Sequence, residues 1–294
     1  MLIFLYSIVH TGTIFTEHLL KSHPKIHFGT NLNGTIARPP LNPLLDALLE
    51  KKISAMQFEK LVKVASQYRG RELVLASMDD LSRIPTHNVP DWPYTVLGCH
   101  ILPKGYQGKT WPRDLFETGF EFPTVTPLRD PVAALVSMLL GAGDDPPQGI
   151  GWQTMGPDEI PAYLLEAYSY LPTLAGYEGT YFLPLDQMLY WCNGEKRAFA
   201  QALFQSLTGD ARLYSDTLAF IEQWPMINVT TPERYGSFEN PIYRECLLEV
   251  KRNLRERRDP RGILQSVDDY VEELRGRDMV IDFLKEQRYF LRWF

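Results

Sequence analysis

Along the chain, short apolar runs rich in β-branched and aromatic residues alternate with stretches whose apolar positions recur at helical spacing. The runs are Leu2–Val9, Glu72–Ser77, Tyr94–Cys99, Pro123–Leu128 and Gly179–Leu185. Helical periodicity fills Thr13–Lys21, Pro43–Leu49, Ala55–Tyr68, Val132–Leu140 and Glu159–Leu171. Strands that are apolar on both faces, separated by helices, predict an α/β fold: a parallel β-sheet flanked by helices on both sides. Beyond Thr208 the pattern turns helical and charged, with amphipathic helices expected over Pro241–Arg258 and Val267–Arg288. The aromatic tail Tyr289-Phe290-Leu291-Arg292-Trp293-Phe294 needs burial, either within the chain or against a second subunit, which leaves a homodimer open. No repeat interrupts this order. Residues 1–294 therefore read as one domain, with about 208–294 as its mainly helical C-terminal part.

Ligands of open parallel sheets bind at the carboxyl ends of the strands, and three predicted strands end in polar chemistry. The first runs into His10-Thr11-Gly12-Thr13, after which Ile14 and Phe15 enter a helix. A tight glycine-bearing turn feeding a helix aims free N–H groups and the positive helix end at one point, which suits phosphate or sulfate. The plainer alternative is an ordinary turn with Thr11 or Thr13 as N-cap. Another strand ends in Arg129-Asp130-Pro131, and Ser137 follows eight residues after the arginine. Asp130 and Pro131 suit a cap and a first helical position, which leaves the arginine unneeded. A guanidinium fork matches phosphate bidentately. His100, at the end of a third strand, is either a core histidine or a base able to titrate near neutrality. An anion cradle plus a distal Arg129/Ser137 pair suits a ligand charged at two separate places. Gly-Lys-Ser/Thr is missing and no lysine precedes Lys21, so the loop is not a Walker A sequence. Gly141–Pro161, rich in Gly, Pro and Asp and carrying Trp152 and Met155, has the length of a lid or insertion.

Composition narrows the classes. Hydrophobic residues make up 45% and aromatic residues 12%, ample for a sizeable core. The net charge of −6 argues against a nucleic-acid binder. Cys99, Cys192 and Cys246 are odd in number and far apart, as expected of reduced thiols rather than disulfides or a metal site. The apolar run at Leu2–Val9 is too short for a membrane anchor and lacks a basic leader, so a soluble, cytoplasmic protein with no membrane partner is expected.

Taken together, these motifs resemble those of the sulfotransferases that use 3'-phosphoadenosine 5'-phosphosulfate (PAPS). That family's first loop, roughly Lys-Ser-Gly-Thr-Thr-Trp after a strand, binds the 5'-phosphosulfate, and His10-Thr11-Gly12-Thr13-Ile14-Phe15 falls on it position by position. Its Arg-x-Pro with a serine eight residues on binds the 3'-phosphate, and Arg129, Pro131 and Ser137 match it. Cys99-His100-Ile101-Leu102-Pro103 is similar to the segment whose histidine is the catalytic base. The resemblance implies a sulfotransferase-type architecture related to P-loop folds, PAPS as co-substrate, no metal, and a small-molecule or glycan acceptor bearing a hydroxyl or amine. It implies His100 as base, His10 beside the leaving group, and Phe15 at the position of the ring that stacks on adenine, though a core phenylalanine fits Phe15 equally well. Two positions depart from the pattern. His10 replaces the loop lysine, and Arg234-Tyr235-Gly236 is the nearest counterpart of the family's C-terminal Arg-Lys-Gly, making Arg234 a further 3'-phosphate candidate. Two other classes stay open: a metal-dependent phosphotransferase on a related fold, with Met78-Asp79-Asp80 as its carboxylate segment, and a nucleotide-binding or assembly protein without turnover.

Overall fold

A computed structural model describes residues 1–8, 11–31, 47–67, 91–100, 122–132, 134–135, 138, 159–188, 191–224 and 263–287. Within them five parallel strands form one sheet: β1 (Leu2–Ser7), β2 (Ile26–Asn31), β3 (Tyr94–His100), β4 (Thr124–Leu128) and β5 (Thr180–Pro184), in the order β2-β3-β1-β4-β5. All six residues of β1 are buried, as its unbroken apolar run requires of a central strand covered on both faces. The expected α/β class with a parallel sheet is present.

The two cores divide by strand parity. On one face Ile3, Leu5, Val96 and Val125 pack against Phe15, Leu19 and Leu20 of α1 (Thr13–Lys21), and against the later helices α5 (Asn193–Thr208) and α6 (Ser215–Gln223). On the other, Leu2, Phe4, Tyr6 and Leu97 pack against α2 (Ala55–Gln67), α3 (Glu159–Ala175), α7 (Ile263–Arg275) and α8 (Asp278–Glu286). Of the helical residues that follow β4, Ala134, Leu135 and Met138 belong to this second core, opposite α1. The chain thus leaves β1 and β4 toward opposite faces, and the switch opens a crevice at the carboxyl end of β1.

Several expectations shift. β2 was not expected: His27, Gly29, Thr30 and Asn31 dilute its apolar signal, and pairing with β3 decides it despite an irregular register between Phe28 and Asn31. α3 runs past Leu171 to Ala175 although Pro172 lies inside it. Burial of Leu171 and Leu174 holds the final turn that proline weakens. The helix expected over Val267–Arg288 is two helices, α7 and α8, broken at Gly276-Arg277. Arg277 turns back to Glu273 (Nη2–Oε1 2.9 Å) and to the Leu165 carbonyl (3.4 Å), which fixes the break against α3. The strand Glu72–Ser77, the helix Pro241–Arg258 and the tail Tyr289–Phe294 lie outside the described residues. Among the described residues no helix is long and apolar enough to cross a membrane.

Candidate functional site at the carboxyl edge

The strand ends that the sequence singled out meet on one edge. The Ser7↔His100 register places His100 of β3 directly beside the last residue of β1, at the mouth of the first loop. On the other side of β1, the chain leaves β4 at Leu128 and enters the Arg129 turn.

The loop after β1 is built by local bonds. The Thr11 amide and hydroxyl both donate to the Ile8 carbonyl, at 3.3 and 2.6 Å. The Thr13 hydroxyl donates to Ser7 Oγ at 2.9 Å, tying the first helical residue back to the strand. Both hydroxyls and the Thr11 amide are therefore engaged in shaping the turn, which leaves the amides at the start of α1 to face a ligand. Gly12 stands at the N-cap of α1 with φ +95°, a left-handed conformation that glycine adopts readily. No side chain caps this helix and no acidic residue lies in its first turn. Its leading N–H groups and positive end are thus directed at the crevice without a carboxylate in the helix's own first turn to offset them. Ile14, half exposed, lies beside them on the outer side of α1.

Phe15 points into the core. It is 5% exposed, with the rings of Phe220 and Trp224 at 5.3 and 4.7 Å. A base could stack on it only by displacing those rings, so the geometry gives this residue a packing role.

Arg129 has a partner that the sequence did not suggest. Its Nε lies 3.6 Å from Oδ1 of Asp186, and its side chain keeps 15% exposure. Asp186, in the single-turn helix α4 (Leu185–Met188) that follows β5, is buried. Its Oδ2 also accepts the Asp130 amide at 2.6 Å. Asp130 caps the next helix as expected, its Oδ1 accepting the Val132 amide at 2.9 Å. Two buried tyrosines complete the turn. Tyr168 of α3 donates to the Arg129 carbonyl at 2.7 Å, and Tyr270 of α7 to the Pro131 carbonyl at 3.3 Å. Burial, reinforced by neighbouring carboxylates, pushes both phenols well above their usual range, so they remain donors at neutral pH. The arginine thus has a structural duty beside two buried carboxylates as well as a position on the crevice.

His10, Ser137 and Arg234 lie outside the described residues. Among those described, no three His, Cys, Asp or Glu side chains gather in a metal-ligating group. Asp186 was missed because a lone Leu-Asp after a strand reads as a helix start. Only the Leu128↔Pro184 register, which sets Leu185-Asp186 alongside Arg129-Asp130, reveals its partner. No family model matches the chain, and no curated protein does.

Proposed function

We propose that this protein is a PAPS-dependent sulfotransferase of the P-loop-like type, acting in the cytoplasm on a hydroxyl or amine of a small-molecule or glycan acceptor. The observation that carries the reading is the meeting, on one sheet edge, of an uncapped and acid-free helix N-terminus, an arginine turn and a histidine-bearing strand end. That edge suits a doubly anionic nucleotide, with the 5' end on the Gly12 loop and the 3'-phosphate toward Arg129 and, with it, Ser137 and Arg234. PAPS supplies an activated sulfuryl group when bound. His100 accepts the proton that the acceptor loses as it attacks. The amides of Gly12 and Thr13, with His10 when protonated, hold the charge that develops on the departing nucleotide; the Thr11 amide, expected to join them, is turned to the Ile8 carbonyl instead.

A protein that binds the nucleotide without turning it over is the second reading, and Asp186 favours it, because a carboxylate already answers part of the Arg129 charge. Two measurements test these readings, the first common to both and the second specific to the sulfotransferase. Thermal denaturation with 3',5'-adenosine bisphosphate and no metal is expected to show stabilisation, and stabilisation by ATP–Mg²⁺ alone would sink both in favour of a phosphotransferase. His100→Ala is expected to lower turnover by roughly 10²–10⁴ with nucleotide affinity retained. Sulfuryl transfer undiminished in that variant removes His100 from the chemistry.

A further inference from the structure

The junction Leu185-Asp186 touches both halves of the site. Leu185 packs over Gly12 so closely that a β-carbon there would fall on its Cδ1. The next residue, Asp186, is 5% exposed and holds the Asp130 amide and the Arg129 Nε on its two oxygens. A carboxylate so buried needs partners, and these two both belong to the arginine turn. One dipeptide at the end of β5 is therefore in contact with the first loop through an aliphatic side chain and with the second through a charge.

We propose that Leu185-Asp186 sets the separation of the two anion-binding segments, with Asp186 as the positioning residue that orients Arg129 toward the second anionic group of the ligand. The inference rests on the reading of Arg129 as the 3'-phosphate contact. Arginine is rich in rotamers, and holding its Nε edge in advance lowers the ordering cost that ligand binding must otherwise meet. Charge alone predicts the opposite sign, since removing a carboxylate beside an anion site draws the anion in more strongly. The sign of the effect therefore decides between positioning and simple neutralisation.

Calorimetry with 3',5'-adenosine bisphosphate and with adenosine 5'-monophosphate, which engages the Gly12 loop alone, tests this on the whole chain. Asp186→Asn keeps an acceptor for the Asp130 amide and removes the charge. It is expected to weaken the bisphosphate about tenfold while the monophosphate stays within about twofold, and to add nothing in an Arg129→Ala background. A purely structural role would weaken both nucleotides together. Should Asp186→Asn fail to fold, Asp186→Glu keeps the charge but displaces it, and is expected to shift the same ratio of affinities. Unchanged or tighter bisphosphate binding, or equal loss for both nucleotides, overturns the inference alone. An unaltered chain with no preference for the bisphosphate, indifferent to Arg129→Ala, overturns the 3'-phosphate reading and the inference with it.

Discussion

Gly12 shows how much one residue carries at this edge. Its φ of +95° and the Leu185 methyl above it exclude a side chain twice over, once by backbone sterics and once by packing. Gly12→Ala is expected to cost about 2–4 kcal/mol, from strain in the left-handed region plus overpacking. Urea denaturation measures it, and a loss below about 0.5 kcal/mol would show that the loop relaxes freely. Arg129 is constrained differently. On the proposed reading of Arg129 as the 3'-phosphate contact, Arg129→Ala is expected to cost about 1.5–3 kcal/mol of bisphosphate affinity by calorimetry. It also leaves Asp186 buried without its cation, so the folded fraction must be established first. A well-folded variant that binds like the unaltered chain places the 3'-phosphate elsewhere.

Between elements, the turn from α1 to β2 is tied to the turn from α5 to α6 through Asp210. Its carboxylate accepts Lys25 Nζ at 2.8 Å, Arg212 Nε and Nη2 at 2.9 and 2.8 Å, and Tyr214 Oη at 2.9 Å. These donors, Arg212 foremost, hold Asp210 far below the usual carboxylate range, so its contribution is present above about pH 3.9 and is lost as pH falls through its lower folded value. His23 beside it is buried against Phe204 and Tyr214 (ring centroids 4.7 and 5.1 Å), and its Nδ1 accepts the Lys25 amide at 3.3 Å. Burial lowers its pKa; Asp210 pulls it up, while Lys25 and Arg212 push it down. The unfolded chain therefore takes up a proton below about pH 6.5 while folded His23 stays neutral, and stability falls with pH through that window. Between pH 7 and 5 the urea midpoint is expected to drop, and His23→Phe is expected to flatten the drop. His27, also lowered by burial, keeps a remainder of the slope. Identical slopes in the two proteins would clear His23 of this role.

At the scale of the molecule, the arginine turn is held from β5, α3 and α7 at once, so elements far apart in sequence set one geometry. Tyr270→Phe removes the donor to the Pro131 carbonyl, 139 residues away, and is expected to cost about 0.5–1.5 kcal/mol of stability. If the turn transmits this, bisphosphate affinity falls as well, whereas a stability loss with affinity unchanged confines Tyr270 to the core. Ligand binding should act on the whole fold. Bisphosphate at a hundred times its dissociation constant is expected to add about 2.7 kcal/mol to the unfolding free energy without added metal. Absence of any shift at that excess would contradict the nucleotide reading.

The sequence by itself determined the parallel α/β class, because buried strands must be apolar on both faces and their helices periodic, and local composition records both. It also placed α1 at Thr13–Lys21 and the candidate residues at strand ends, since a turn, a glycine and a helix start are local events. It did not reveal β2, whose polar residues become a strand only beside β3, or the break at Gly276-Arg277, which contacts with α3 define. Phe15 reads equally well as a stacking ring or a core ring, and only the neighbouring Phe220 and Trp224 decide for the core. The partner of Arg129 was illegible for the same reason. Asp186 stands 57 positions along the chain from Arg129, and a pairing at that distance exists only once the register of β4 on β5 is set.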